Sequence, residues 1–366
     1  MLQPNPFHPG KIRVAHVGTG ATGSEALKAI LDHPDLELVT LWTTTPEKTG
    51  RDAGELVGRD PVGISAVGSL EAALAHHPDV LSYCGNGLGR IEEVVQELTV
   101  ALDRGVNVAT ISLLGMLYPA AAPVQHTRPL HQAALAGAAS SVSTGLDPGF
   151  SSDVLPLALL TMADTIEHVH IQEIGVYDHY DVEPVLRGIM GFGQSPDYDA
   201  PIATGGDFVR QWRGLVQQLA DRMELALDEI VGTSDYAVHD ADLQTSVGLM
   251  ARGTVVARRV ACHGLVGGKP TITAEHVTRM KSHVAPHWPT FDGVGESNYR
   301  VVITGNPNIR CDLDLGKSAG VWGSVKATAM RVVNLIPALV AAPPGLHSAL
   351  DFPLVPGRRV LCETGS

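Results

Sequence analysis

A run of strand-forming residues, Lys11-Ile12-Arg13-Val14-Ala15-His16-Val17, breaks into Gly18-Thr19-Gly20-Ala21-Thr22-Gly23. Apolar residues then recur at helical spacing at Ala26, Leu27, Ile30 and Leu31. Strand, G-x-G-x-x-G turn and helix in immediate succession constrain a chain more than any other local pattern here. Gly18 permits the tight turn, Gly20 lets backbone approach a pyrophosphate, and Gly23 lets helix pack closely on strand. The N–H groups opening such a helix have no partner within it and carry a partial positive charge, so the turn is a ready anion site.

The next hundred residues alternate as a parallel sheet with crossover helices requires. Strands are expected at Leu36–Trp42, Val80–Tyr83 and Asn107–Ile111, with helices from Ser24, Ser69 and Ile91 and another near Pro129–Ala136. The reading is an α/β fold, a Rossmann-type doubly wound parallel sheet followed by an α+β domain on an open mixed sheet. Strands of the latter are expected at His168–Val176, Val238–Leu249, Thr254–Leu265, Thr271–Thr278 and Arg300–Ile303. The expected boundaries are residues 1–150 for dinucleotide binding, 151–320 for substrate binding and dimerisation, and 321–366 for a C-terminal helix and tail returning to the first domain.

Composition narrows the function. The net charge of −13, without a block of Lys or Arg, argues against nucleic acid or an anionic membrane as partner. Cys84, Cys262, Cys311 and Cys362 are scattered, which fits neither a disulfide framework nor a zinc site. The segment Met1–Gly10 lacks the apolar core of a secretory leader, and a cytoplasmic protein is expected. His283 and His287 stand in His-x-x-x-His spacing, but Pro286 interrupts any helix and no metal is expected.

An NAD-preferring turn places Asp or Glu about 20 residues on, at the end of the second strand. Thr43, Thr44 and Thr45 occupy that place, with Lys48 and Arg51 just beyond, a set suited to a 2′-phosphate. NADP is therefore favoured, with NAD the alternative. A second glycine loop, Gly85-Asn86-Gly87-Leu88-Gly89-Arg90, follows the strand ending at Tyr83 and is expected to border the ribose and nicotinamide.

Five segments carry a family resemblance: the glycine turn, Gly50-Arg51-Asp52-Ala53-Gly54-Glu55-Leu56, Ser143–Phe150, Met190-Gly191-Phe192-Gly193, and Ala327–Pro337. Together they resemble the dihydrodipicolinate reductase-like proteins, which include 2,4-diaminopentanoate dehydrogenase and the NAD(P)-dependent amine dehydrogenases. The resemblance implies hydride transfer from a nicotinamide, a second domain that forms both substrate pocket and dimer interface, and a homodimer. The His-His pair and Lys that bind dicarboxylate in dihydrodipicolinate reductase have no counterpart around Glu173–Asp181. The glutamate that handles amine in the amine dehydrogenases is replaced by Ser112-Leu113-Leu114-Gly115.

Hydride transfer needs positioning, a proton source and a closed pocket. Tyr177, His179 and Tyr180, in a stretch with Asp178 and Asp181, are the candidate proton donors, and Asp147 a candidate contact to nicotinamide amide or substrate. Leu113, Leu114, Met116, Leu117, Met190 and Phe192 are expected to give the pocket an apolar wall. The expected activity is reduction of C=N or C=O in a small, mostly apolar molecule. Carbonyl reduction without amine chemistry, or a regulator that binds NADP without turnover, are the alternatives.

Overall fold

A computed structural model describes residues 10–87, 89–203, 207–318 and 320–358. Residues 1–9, Leu88 of the second glycine loop, and Cys362 lie outside the described residues. In chain order the first elements are β1 (Ile12–Val17), α1 (Ala21–Asp32), β2 (Leu36–Trp42), β3 (Ala66–Val67), α2 (Leu70–Leu74), β4 (Val80–Tyr83), α3 (Ile91–Asp103), β5 (Asn107–Thr110), α4 (Val124–Ala136) and β6 (Ser140–Ser143). There follow α5 (Val154–Leu160), β7 (Thr165–Val176), α6 (Asp207–Arg222), β8 (Glu229–Val238), β9 (Leu243–Thr245) and β10 (Gly248–Met250). The chain continues through β11 (Val255–Val266), β12 (Lys269–Arg279), β13 (Ser297–Asn306), β14 (Ile309–Asp314), β15 (Lys317–Ser318), β16 (Val321–Trp322), α7 (Gly323–Val340) and β17 (Gly345–His347).

Two compact units divide the chain, one of Met1–Gly149 with Val325–Ser366, the other of Phe150–Ser324. The first holds a seven-stranded sheet in the order β17-β6-β5-β4-β1-β2-β3, with every pair parallel. The order reverses between β1 and β4, the place where doubly wound sheets open a crevice at their carboxyl ends. Ala329, Val332, Val333, Ile336 and Leu339 of α7 join Ile12, Val14, Leu27 and Ile30 in one buried core. Their spacing of three and four residues puts them on one helix face, which explains why this late segment belongs to the first unit.

The second unit carries a six-stranded mixed sheet, β14-β13-β7-β12-β11-β8, in which β7 and β12 run parallel and the other pairs antiparallel. Trp212, Val216, Leu219 and Ala220 of α6 share a core with Val169, Ile171, Val260, Ile272 and Val301.

Three expectations shift. The stretch Val238–Leu249 is not one strand: β8 ends at Val238, and β9 and β10 form a separate antiparallel pair. His239 Nδ1 bonds the Ala241 carbonyl and the Asp242 carboxylate takes the Arg252 N–H, side-chain contacts that hold the chain in a turn between β8 and β9. α1 opens at Ala21 with Gly20 as its cap, ahead of Ser24, and α4 opens at Val124 and contains Pro129.

Candidate active site

The glycine turn is built by close approach. Gly18 has a φ of +99°, and a Cβ added there would lie 2.5 Å from the Cys84 carbonyl oxygen. A Cβ on Gly23 would lie 2.4 Å from the Gly18 oxygen. A Cβ on Gly20 would meet nothing within 4 Å, so the space above this residue is open. Gly20 caps α1 without a side-chain hydrogen bond, and no acidic residue stands in the first turn. A tight base, an open middle and free N–H groups fit a pyrophosphate.

Adjacent strands bring the other loops to this turn. The Gly18 N–H donates to the Trp42 carbonyl (3.3 Å) and the Cys84 N–H to the Val17 carbonyl (2.9 Å), tying the ends of β2 and β4 to that of β1. Lys48 Nζ donates to Thr19 Oγ1 at 2.7 Å. Thr43 is buried and its Oγ1 accepts from the Thr45 N–H, whereas Thr44, Thr45 and Arg51 are exposed. In the second glycine loop, Ser112 Oγ donates to the Gly85 carbonyl (2.5 Å), and a Cβ on Gly87 would lie 2.1 Å from the Ser112 carbonyl oxygen. Ala21, Thr22 and Asn86 complete the set brought together at the switch point. Asp147 lies half-buried in the kinked turn after β6, near the end of this unit's first segment.

His16 was not among the residues expected from sequence. It is fully buried on β1, with Nε2 2.9 Å from both the Gly18 and Gly23 carbonyl oxygens and Nδ1 3.1 Å from Ser82 Oγ. Its polar ring at a strand position flanked by Ala15 and Val17 was the available signal.

In the second unit, Tyr177 and Tyr180 stack with ring centroids 5.0 Å apart. Gly175 makes this possible, because a Cβ there would stand 2.8 Å from the Tyr177 ring. His179 between them is exposed, Asp178 pairs with Lys281, and Asp181 is exposed. The structure adds two carboxylates. Glu173 pairs in register with His276 on one side and Tyr299 on the other, and its carboxylate is 3.3 Å from His276 Nε2. Glu296 accepts from Ser324 Oγ at 3.1 Å. Burial, then Glu173, Tyr299, Tyr180 and Glu296, push the Tyr177 hydroxyl well above its ordinary range. Burial likewise raises the Glu296 carboxyl, Glu173 adding to the shift while Ser324, Lys317 and His179 oppose it. Glu173 follows Val169 and Ile171 at strand period, so a carboxylate at an inward position was the missed clue.

The residues expected as an apolar wall fall in both units, and Leu113 and Met116 line a small cavity with Leu130 and Leu346. Leu113 and Met116 belong to the core of the first unit, and Met190 and Phe192 to that of the second. Leu117 is buried as well, and Leu114 is half-buried. His263 bridges Thr233 and Thr273, and His287 packs against Trp288. Among the described residues no group of three or more His, Cys, Asp or Glu side chains is arranged to hold a metal ion. No helix among the described residues is long and apolar enough to cross a membrane.

Residues 153–360 match the 2,4-diaminopentanoate dehydrogenase C-terminal domain. The whole chain is similar to an amine dehydrogenase of Streptomyces virginiae, 36% identical over 344 residues that cover 93% of this chain and 95% of the relative. The chain belongs to the amine dehydrogenase and 2,4-diaminopentanoate dehydrogenase family. It is an NAD(P)-dependent oxidoreductase. A 2,4-diaminopentanoate dehydrogenase of Acetoanaerobium sticklandii is 23% identical over 355 residues, covering 94% of each chain. The solved amine dehydrogenase of Mycobacterium smegmatis shares the fold, with a TM-score of 0.76 and 22% identity over 96% of this chain and 98% of that one.

The family's segments now have physical roles. In Gly50–Leu56 the Asp52 carboxylate accepts from the N–H groups of Gly54, Glu55, Val62, Gly63 and Ile64, and closes the loop after β2. In Met190–Gly193 the Met190 carbonyl accepts from Arg258 Nε at 2.6 Å while Phe192 fills the core.

Proposed function

We propose that this amine dehydrogenase relative prefers NADPH and interconverts a small carbonyl compound and its amine. Carbonyl, ammonium, a proton and NADPH would give the protonated amine, water and NADP⁺. The observation that carries the amine reading is the grouping of Tyr177, Tyr180 and Tyr299 with Glu173 and Glu296. An ammonium group finds carboxylate partners and aromatic faces there.

Bound reduced nicotinamide supplies the hydride. The rest falls to the chain. The turn from Gly18 to Gly23 holds the pyrophosphate, with Lys48 and Thr43, Thr44 and Thr45 beside the 2′-phosphate and Arg51 behind them. Gly85, Asn86 and Gly87 border the ribose. Tyr177, kept protonated by its surroundings, donates from Oη to the oxygen that leaves as water. Tyr180 and His179 flank it, and Asp147 orients the nicotinamide amide or substrate. A homodimer is part of the same reading.

The missing glutamate after β5 favours one second reading, reduction of a carbonyl to an alcohol. Steady-state oxidation of NADPH with a panel of small ketones and aldehydes, with and without ammonium, separates the two. Ammonium-dependent turnover to the amine is expected. Equal turnover without ammonium, giving alcohol, would overturn the amine reading.

A further inference from the structure

We infer that His16 is a positioning residue for the dinucleotide, holding the Gly18 and Gly23 carbonyls inward so that the N–H of Thr19 faces the phosphates. The inference rests on the cofactor reading above. A buried polar ring must satisfy both nitrogens, and this one does so entirely within the glycine turn and its neighbouring strand. Carbonyl oxygens only accept, so the proton sits on Nε2, shared between Gly18 and Gly23 at 2.9 Å each. Nδ1 then accepts from the Ser82 hydroxyl at 3.1 Å, which anchors the ring to β4. Burial keeps the ring neutral, lowering its pKa to about 4.

The link to ligand is geometric. A trans peptide unit is planar and carries its C=O and N–H on opposite sides. Fixing the Gly18 carbonyl toward His16 therefore turns the Thr19 N–H the other way. The fold of the turn has other supports, including Gly18 N–H to Trp42, Cys84 N–H to Val17, and Ser24 N–H to Gly20 at 2.8 Å. What His16 adds is the orientation of one peptide plane and the closure of the turn across its two ends. An aliphatic residue would fill the volume and leave two carbonyls without this donor.

Fluorescence titration of NADPH and NADH against His16→Leu, His16→Gln and Ser82→Ala, with melting temperatures in parallel, tests the assignment. His16→Leu should weaken both dinucleotides about tenfold, the effect of roughly one lost charge-orienting hydrogen bond, without changing the preference between them. His16→Gln, whose amide N–H₂ can reach both carbonyls, should return affinity to within about threefold of wild type. Ser82→Ala keeps the ring and removes its anchor on β4, and should weaken binding about threefold even if His16→Leu does not fold. A folded His16→Leu that binds within twofold of wild type overturns the inference, as does a His16→Gln no better than it. If His16→Leu is unfolded, wild-type affinity in Ser82→Ala overturns it. Wild-type protein that binds neither dinucleotide would instead defeat the cofactor reading itself.

Discussion

Lys48 Nζ lies 2.7 Å from Thr19 Oγ1, so the loop after β2 places a cation directly against the glycine turn after β1. That contact joins the 2′-phosphate candidate to the pyrophosphate candidate. Lys48→Met should raise the Kd for NADPH by about tenfold, roughly 1.4 kcal/mol, and leave NADH binding within about twofold. Thr44→Asp should act in the same direction, because a carboxylate repels a 2′-phosphate. Calorimetric titration with both coenzymes reads the ratio, and an equal loss for both would remove Lys48 from the 2′ site.

The three glycines of the turn should respond differently to alanine. Gly18→Ala meets a positive φ and the Cys84 carbonyl, and Gly23→Ala meets the Gly18 carbonyl, so each should destabilise by about 1–3 kcal/mol in urea melts. Gly20→Ala meets open space. It should melt like wild type yet bind dinucleotide at least about tenfold more weakly, because the methyl occupies the phosphate approach. Wild-type affinity in a stable Gly20→Ala would show that the open space holds no ligand.

Much of this was legible in the sequence. β2 and β4 begin and end where their strand-forming runs do, because parallel strands buried on both faces read as short, largely apolar stretches. The short β3, the edge strand β14 and the helix α6 were not foreseen. Ala66–Val67 is too short to show a period, and Ile309–Asp314 alternates with charge as an exposed edge would. Leu113, Met116, Met190 and Phe192 are all buried, and apolar residues near glycine turns suit pocket and core alike, so sequence alone does not divide them. His16 and Glu173 were missed for a related reason: a buried polar group takes its meaning from partners on other strands, Ser82 in one case and His276 in the other.

Acid should act in two steps. His16 has its pKa lowered from 6.5 to about 4 by burial, so the unfolded chain binds its proton first. Its contribution is whole above pH 6.5 and lost as pH falls toward 4, about 3 kcal/mol in all. Burial alone would raise Glu275, but hydrogen bonds from His170, Arg259 and Gln172 outweigh it and hold the carboxyl at about 2. Its share, of similar order, is present above pH 4.5 and lost from there toward pH 2. Stability measured by urea melts against pH should therefore lose the upper step in His16→Gln and the lower one in Glu275→Gln. Unchanged profiles in both would show that neither group carries the acid sensitivity.

Tyr177→Phe keeps the stack on Tyr180 and removes only the hydroxyl. It should lower kcat by about 10²-fold or more, with the KM for NADPH within about twofold, as loss of a general acid does. Glu296→Gln should chiefly raise the KM for ammonium. A Tyr177→Phe enzyme with wild-type kcat would move the proton donor to Tyr180 or His179.

The most direct measurement of the central claim is a crystal structure of the protein with NADP⁺. The expected result has the pyrophosphate over Gly20, within hydrogen-bonding distance of the N–H groups that open α1, and the 2′-phosphate beside Lys48. A dinucleotide seated elsewhere, or a turn from Gly18 to Gly23 filled by the protein's own side chains, would contradict it.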